Sequence, residues 1–177
     1  MAALAMPAWR GLNTASMRKG STNLLMATLE QARVAAVAQK TDTWFIFRHR
    51  PLPQSDDFCV VQKTADEKII SLATWQKLPL GMIFMINPEA AQNEPLPDEI
   101  TTVLQKFFTF KSPAENEPLG YFQFNEAGAI IHPAAQEYQI FLNLGKRETR
   151  NHIASQAVPI AQIKISTLTG RAFIGGQ

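Results

Sequence analysis

The stretch Ser21–Phe47, "STNLLMATLEQARVAAVAQKTDTWFIF", decides the fold, because its periodicity changes part-way through. Leu25, Leu29, Ala32 and Ala36 recur at steps of four, three and four, which puts them on one helical stripe. The intervening Ala, Leu, Met, Gln, Glu and Lys are good helix formers, and Ser21 or Thr22 can accept a hydrogen bond from the first free backbone N–H groups. The alanines in the stripe leave room for a closely packed neighbour, and a sheet on that side would account for them. After Lys40 the helical period stops, and Thr43–Arg50 is aromatic and β-branched, as a strand requires.

Downstream the strand-like runs continue without intervening helices. They are Asp57–Lys63, Gly81–Ile86, Gly120–Asn125, Glu137–Leu144, Ile160–Ser166 and Gly170–Ile174. One long helix followed by successive strands builds antiparallel sheet, so the expected class is α+β. One segment differs: after Pro97 and Asp98, the residues Ile100, Val103, Leu104, Phe107 and Phe108 follow helical spacing and predict a short helix. The proline-rich acidic stretches on either side of it read as loops.

Upstream, "MAALAMPAWRGLNTA" (Met1–Ala15) opens on apolar residues, meets Pro7 and turns polar. No positive charge precedes Arg10, so a signal peptide is poorly supported. Pro7 and Arg10 end the run well short of the roughly 18 apolar residues that cross a bilayer. Gly11 and Gly20 each disfavour helix by about 1 kcal/mol relative to Ala. A continuous helix from Ala2 to Lys40 would be about 55–60 Å long, so its first half would project from a domain of this size. We expect residues 1–20 to be the remnant of a helical spine and residues 21–177 to form one α+β head.

The net charge of +2 conceals a partition. Residues 1–50 carry seven basic and two acidic side chains, residues 51–140 five and twelve, and residues 141–177 five and one, or +5, −7 and +4 in turn. Such segregation favours head-to-tail association by opposed surface potentials, or else reflects solvated faces.

Motifs for chemistry are missing. His49, His132 and His152 are widely separated and lack the spacing of a zinc site. The sequence contains no glycine-rich phosphate loop and no Gly-x-Ser-x-Gly turn. Cys59, the sole cysteine, excludes an internal disulfide and reads as a small core residue within a strand. The adjacent acids Asp56 with Asp57, Asp66 with Glu67, and Asp98 with Glu99 read as solvated charge in turns or at a helix start. We therefore expect no catalytic residue, cofactor, metal or small-molecule substrate. The basic group Lys146, Arg147 and Arg150, with Arg171 later, reads as a solvated hairpin or as phosphate contacts.

Residues Ala3–Phe47 resemble the start of type IV pilin-like proteins, above all the H-type minor pseudopilins of type II secretion and the FimT-like minor pilins. "ALAMP" looks like the end of that family's apolar helix, and Leu29, Ala32, Arg33 and Ala36 match its "L…AR..A" pattern. Tyr121–Ile130 resembles its "F...G" hairpin, and Ile163–Ile174 its closing "TGR" hairpin at Thr169, Gly170 and Arg171. The likeness is loose from about Pro51 to Pro118, and the short helix after Pro97 is not carried over from the family.

The leader glycine, the following aromatic and the early glutamate of the family have no counterparts in the sequence. The resemblance thus implies that a methylated prepilin-type membrane helix is truncated here. It further implies a non-enzymatic subunit of a type II secretion pseudopilus or type IV pilus-like filament, with a periplasmic head anchored in the inner membrane or a place on a cell-surface filament. Its partners would be other pilin or pseudopilin subunits, and Leu4, Met6, Pro7, Trp9 and Leu12 would face the assembly or the membrane. The alternative is a DNA-contacting minor pilin using Lys146, Arg147, Arg150 and Arg171. A third reading is an enzyme with a site assembled from remote residues.

Overall fold

The computed structural model describes residues 5–49, 55–79, 82–87, 96–107, 119–132, 137–144 and 161–175. A helix α1 (Ala5–Gln39) leads into strands β1 (Thr43–Arg48), β2 (Asp57–Lys63), β3 (Ile69–Lys77) and β4 (Met82–Asn87). A second helix α2 (Asp98–Phe107) follows, then β5 (Leu119–Phe124), β6 (Ile130–His132), β7 (Glu137–Leu144), β8 (Ala161–Ser166) and β9 (Ala172–Ile174). The strands form two antiparallel sheets, β3-β2-β1-β5-β6 and β4-β7-β8-β9, and the class is α+β.

The helical stripe does what its spacing predicts: Leu25, Leu29, Ala32 and Ala36 are fully buried. They pack with Phe45 and Phe47 of β1, Phe58 and Val60 of β2 and Phe122 and Phe124 of β5 from the first sheet. Tyr138, Ile140, Leu142, Ile163 and Ile165 come from the second. Phe122 and Tyr138 join the sheets edge to face, with ring centroids 4.9 Å apart. Among the α1 residues whose burial is described, the buried ones begin at Ser21, whose hydroxyl lies 3.1 Å from Met82 Sδ, whereas Ser16, Lys19 and Gly20 are exposed. Gly11 and Gly20 do not interrupt the helix.

The end of α1 is closed by two devices. Thr41 N–H donates to Ala36 O at 3.2 Å, with Lys40 in the left-handed region at φ 52°, the geometry of a Schellman motif. The Gln62 amide, from β2, donates to the late carbonyl of Ala35 at 2.9 Å. The chain then reverses into β1, the central strand, which pairs with β2 and β5 over its whole length.

The other face of the first sheet is also covered. Trp44, Ile46, Cys59, Val61 and Tyr121 point away from α1 and are packed by Leu96, Ile100 and Leu104, so the short helix exists and supplies a second core. Two strands lie outside the sequence expectation. In β3 the register shifts twice against β2, between Phe58 and Val60 and between Val60 and Val61, which breaks the alternation that marks a strand. β6 has three residues, too few for a periodic signal.

Candidate functional site

Three regions bear on function: the two ends of α1 and a cluster at the β1–β2 connection. Of the residues expected at the assembly surface, Met6, Pro7, Trp9 and Leu12 fall on the N-terminal part of α1, while Leu4 lies outside the described residues. From Ala5 to Gly20 the helix runs about 24 Å ahead of Ser21, the first residue described as buried.

At the opposite end of α1, two turns are stacked on the helix. The β5–β6 turn rests on Val37 and Arg33, close enough that a Cβ on Gly128 would lie 2.9 Å from Val37 Cγ2. The β8–β9 turn rests in turn on the first, for a Cβ on Gly170 would lie 1.9 Å from Gly128 O. Ile130 N–H donates to Thr167 O at 2.8 Å, tying the edge of one sheet to the turn of the other. Both glycines have positive φ, 77° and 61°, which only glycine adopts without strain.

Val34 and Val37 on α1 and Leu168 in the β8–β9 turn are exposed apolar side chains, and on β9 Phe173 and Ile174 are exposed on opposite faces of the strand. Arg33 and Glu30 pair along the helix, with Nε to Oε2 at 2.9 Å, and that hydrogen bond is the main reason the Glu30 carboxyl sits below its ordinary pKa. Arg171 is exposed and its charge reaches Glu30. Lys146, Arg147 and Arg150 lie outside the described residues.

The third region was missed by sequence reasoning. Asp56 and Asp57, read as solvated turn acids, are both fully buried. Asp57 receives a two-pronged hydrogen bond from the cross-strand Arg48, Nε to Oδ1 at 2.8 Å and Nη2 to Oδ2 at 2.6 Å. Arg48 Cζ lies 4.4 Å from the Trp75 ring centroid, so the guanidinium is held by an aromatic face as well as by a carboxylate. On the next residues, His49 Nδ1 and Asp56 Oδ2 lie 3.2 Å apart. The two pairs clamp both feet of the β1–β2 connection. The signal in the sequence was the placing of Arg-His and Asp-Asp at the two ends of one hairpin, where antiparallel pairing sets opposite charges across from each other.

The chemical capacity of these groups is small. Arg48, His49, Asp56 and Asp57 are withdrawn from solvent, which fits them for holding the hairpin rather than for reaching a substrate. Burial pushes the Cys59 thiol well above its ordinary pKa, so it is not a thiolate nucleophile at neutral pH. Among the described residues no three or more His, Cys, Asp or Glu side chains group as metal ligands, and no helix is long and apolar enough to cross a membrane.

No protein-family model matches the chain, and neither does any curated protein. Among solved structures the chain is similar to the minor pseudopilin EpsH from the type II secretion system of Vibrio cholerae. The identity is 11% and the TM-score 0.48, over 91% of this chain and 97% of that one.

Proposed function

We propose that the chain is a non-catalytic, pilin-like subunit that assembles into a pseudopilus or pilus-like filament through the N-terminal part of α1. The observation that carries the reading is the division of that helix. One helix runs from Ala5 to Gln39; among its residues whose burial is described, Ser16, Lys19 and Gly20 are exposed and the stripe packed on the sheets begins at Ser21. The remaining turns carry Met6, Trp9 and Leu12, whose apolar area needs a bilayer or neighbouring helices to leave water. The sequence likeness to H-type minor pseudopilins and FimT-like pilins supports the same reading, with a periplasmic head and an inner-membrane or filament location.

The test places single cysteines at Met6, Trp9 or Leu12 in the full chain carrying Cys59→Ala, in cells that build such filaments. Cross-links through α1 to neighbouring subunits are expected, as is loss of incorporation in Leu12→Lys. Absence of cross-links at all three positions, together with normal incorporation of Leu12→Lys, refutes the proposal.

A further inference from the structure

We propose that β3 is a guarded sheet edge: its uncharged run Ile69–Trp75 would pair with the same run of a second copy, and two bulges together with the Gln31 and Ser71 side chains keep that pairing from forming. The inference concerns the head alone and does not depend on assembly through α1.

The need for a guard follows from length and composition. β3 and β6 end the first sheet, and β4 and β9 end the second. β6 and β9 have three residues each, too few to template a partner, and β4 has six. β3 has nine, and among the described residues no strand pairs with its outer side. Its run "IISLATW" (Ile69–Trp75) is rich in β-branched and aromatic side chains and has no charge, proline or glycine, the composition that joins strands between molecules. Ile70 and Thr74 are exposed along it. A regular edge of this kind is a template for a second strand.

The edge is not regular. Thr74 and Trp75 stand opposite the single Cys59, and Leu72 has no residue opposite it on β2. A strand turns its outward N–H and C=O groups to a partner at every second residue, and each extra residue disrupts that alternation. The longest unbroken run left between Ile69 and Trp75 is Ile69–Ser71, no longer than β6 or β9. The carbonyls at the break are also occupied. Leu72 O accepts from Gln31 Nε2 of α1 at 3.4 Å, and Ala73 O accepts from Ser71 Oγ at 3.0 Å. Thr28 Oγ1 donates to Gln76 Oε1 at 3.1 Å, which keeps α1 alongside the strand. Charge closes the ends: Lys68 and Lys77 bracket the run, both exposed, and pairing of two copies in either direction brings lysines together. Lys68 is paired with Asp66, so Lys77 carries most of this effect.

The test reads amide hydrogen exchange of the peptide covering β3 in the full chain, over about a hundredfold range of concentration, because pairing between copies protects that peptide. In the parent chain, exchange in β3 is expected to be independent of concentration. Gln31→Ala with Ser71→Ala frees both carbonyls, and exchange in β3 is expected to slow at least about tenfold at the highest concentration. Adding Thr74→Lys, which puts a charge in the middle of the run, is expected to restore the parent's behaviour. Near-UV circular dichroism checks that the variants are folded. Should the double variant unfold, Gln31→Ala decides alone, with a slowing of at least about threefold expected. That position is exposed on α1 and alanine is the better helix former, so the head keeps its fold. A parent whose β3 exchange slows with concentration overturns the proposal. So do folded variants whose β3 exchange does not slow, or a slowing that Thr74→Lys leaves in place.

Discussion

Replacing Gly170 by alanine should unfold the head at markedly lower denaturant or temperature, and the structure sets the size of the effect. Two contributions add. The backbone at this position has φ 61°, where a Cβ costs on the order of 1–2 kcal/mol. The new methyl would also sit 1.9 Å from Gly128 O and 3.0 Å from Phe124 Cδ1. A backbone oxygen cannot swing aside as a side-chain end can, so the β8–β9 turn must lift. Lifting it strains the Ile130 to Thr167 hydrogen bond, which contributes about 1 kcal/mol. The expected loss is about 3 kcal/mol, or roughly 6–12 °C in Tm for a domain of this length. The control is the same substitution at Gly20, which has nothing within 4 Å of its added Cβ and lies within α1. There alanine should stabilise by about 0.5–1 kcal/mol. Urea unfolding followed by far-UV circular dichroism measures both. A Gly170→Ala loss below about 1 kcal/mol, or a Gly20→Ala change of the same sign, would refute the stacking of the two turns on the helix.

Arg48→Ala takes the two-pronged guanidinium partner from a fully buried carboxylate and should cost about 3–5 kcal/mol by urea unfolding. Restoring an apolar pair with Arg48→Met and Asp57→Leu should recover most of that loss. Cys59 should resist a thiol reagent at neutral pH and react only as urea exposes it, at a rate following the unfolded fraction. The Glu30 pKa is lowered in the folded state, so its contribution is present at neutral pH, above the unfolded value near 4.3, and lost as pH falls through the folded value. The Glu30 side chain is about half exposed and solvent screens the pair, so Glu30→Gln should cost at most about 0.5 kcal/mol at pH 7 and less in high salt.

The parts of this fold that could be read in the sequence are those fixed by short-range periodicity. Leu25, Leu29, Ala32 and Ala36 announce a helix with one packed side, and Phe45 with Phe47 announces a strand facing it. The short helix was visible for the same reason, since Ile100 and Leu104 repeat at helical spacing beneath an acidic first turn. What escaped detection depends on distant partners. β3 is a strand only because β2 accepts it with two register shifts, and its own sequence alternates poorly. The burial of Asp56 and Asp57 depends on Arg48 and His49 lying opposite, a fact of pairing that adjacent acids do not display. The proposal of an assembly surface on the N-terminal part of α1 rests on residue type, whereas the stacked turns at the other end arise from tertiary contacts of Gly128 and Gly170 that no local pattern encodes.

The place of β1 in the first sheet has a mechanical consequence. A pull on α1 travels through the turn at Lys40–Asp42 into the one strand that is bound along its full length on both sides, six paired positions to β2 and six to β5. Tension cannot peel that strand from an edge one hydrogen bond at a time; it must break both ladders together or stretch the helix first. The head is therefore wired so that load entering by its helix is shared across the sheet before any strand gives way.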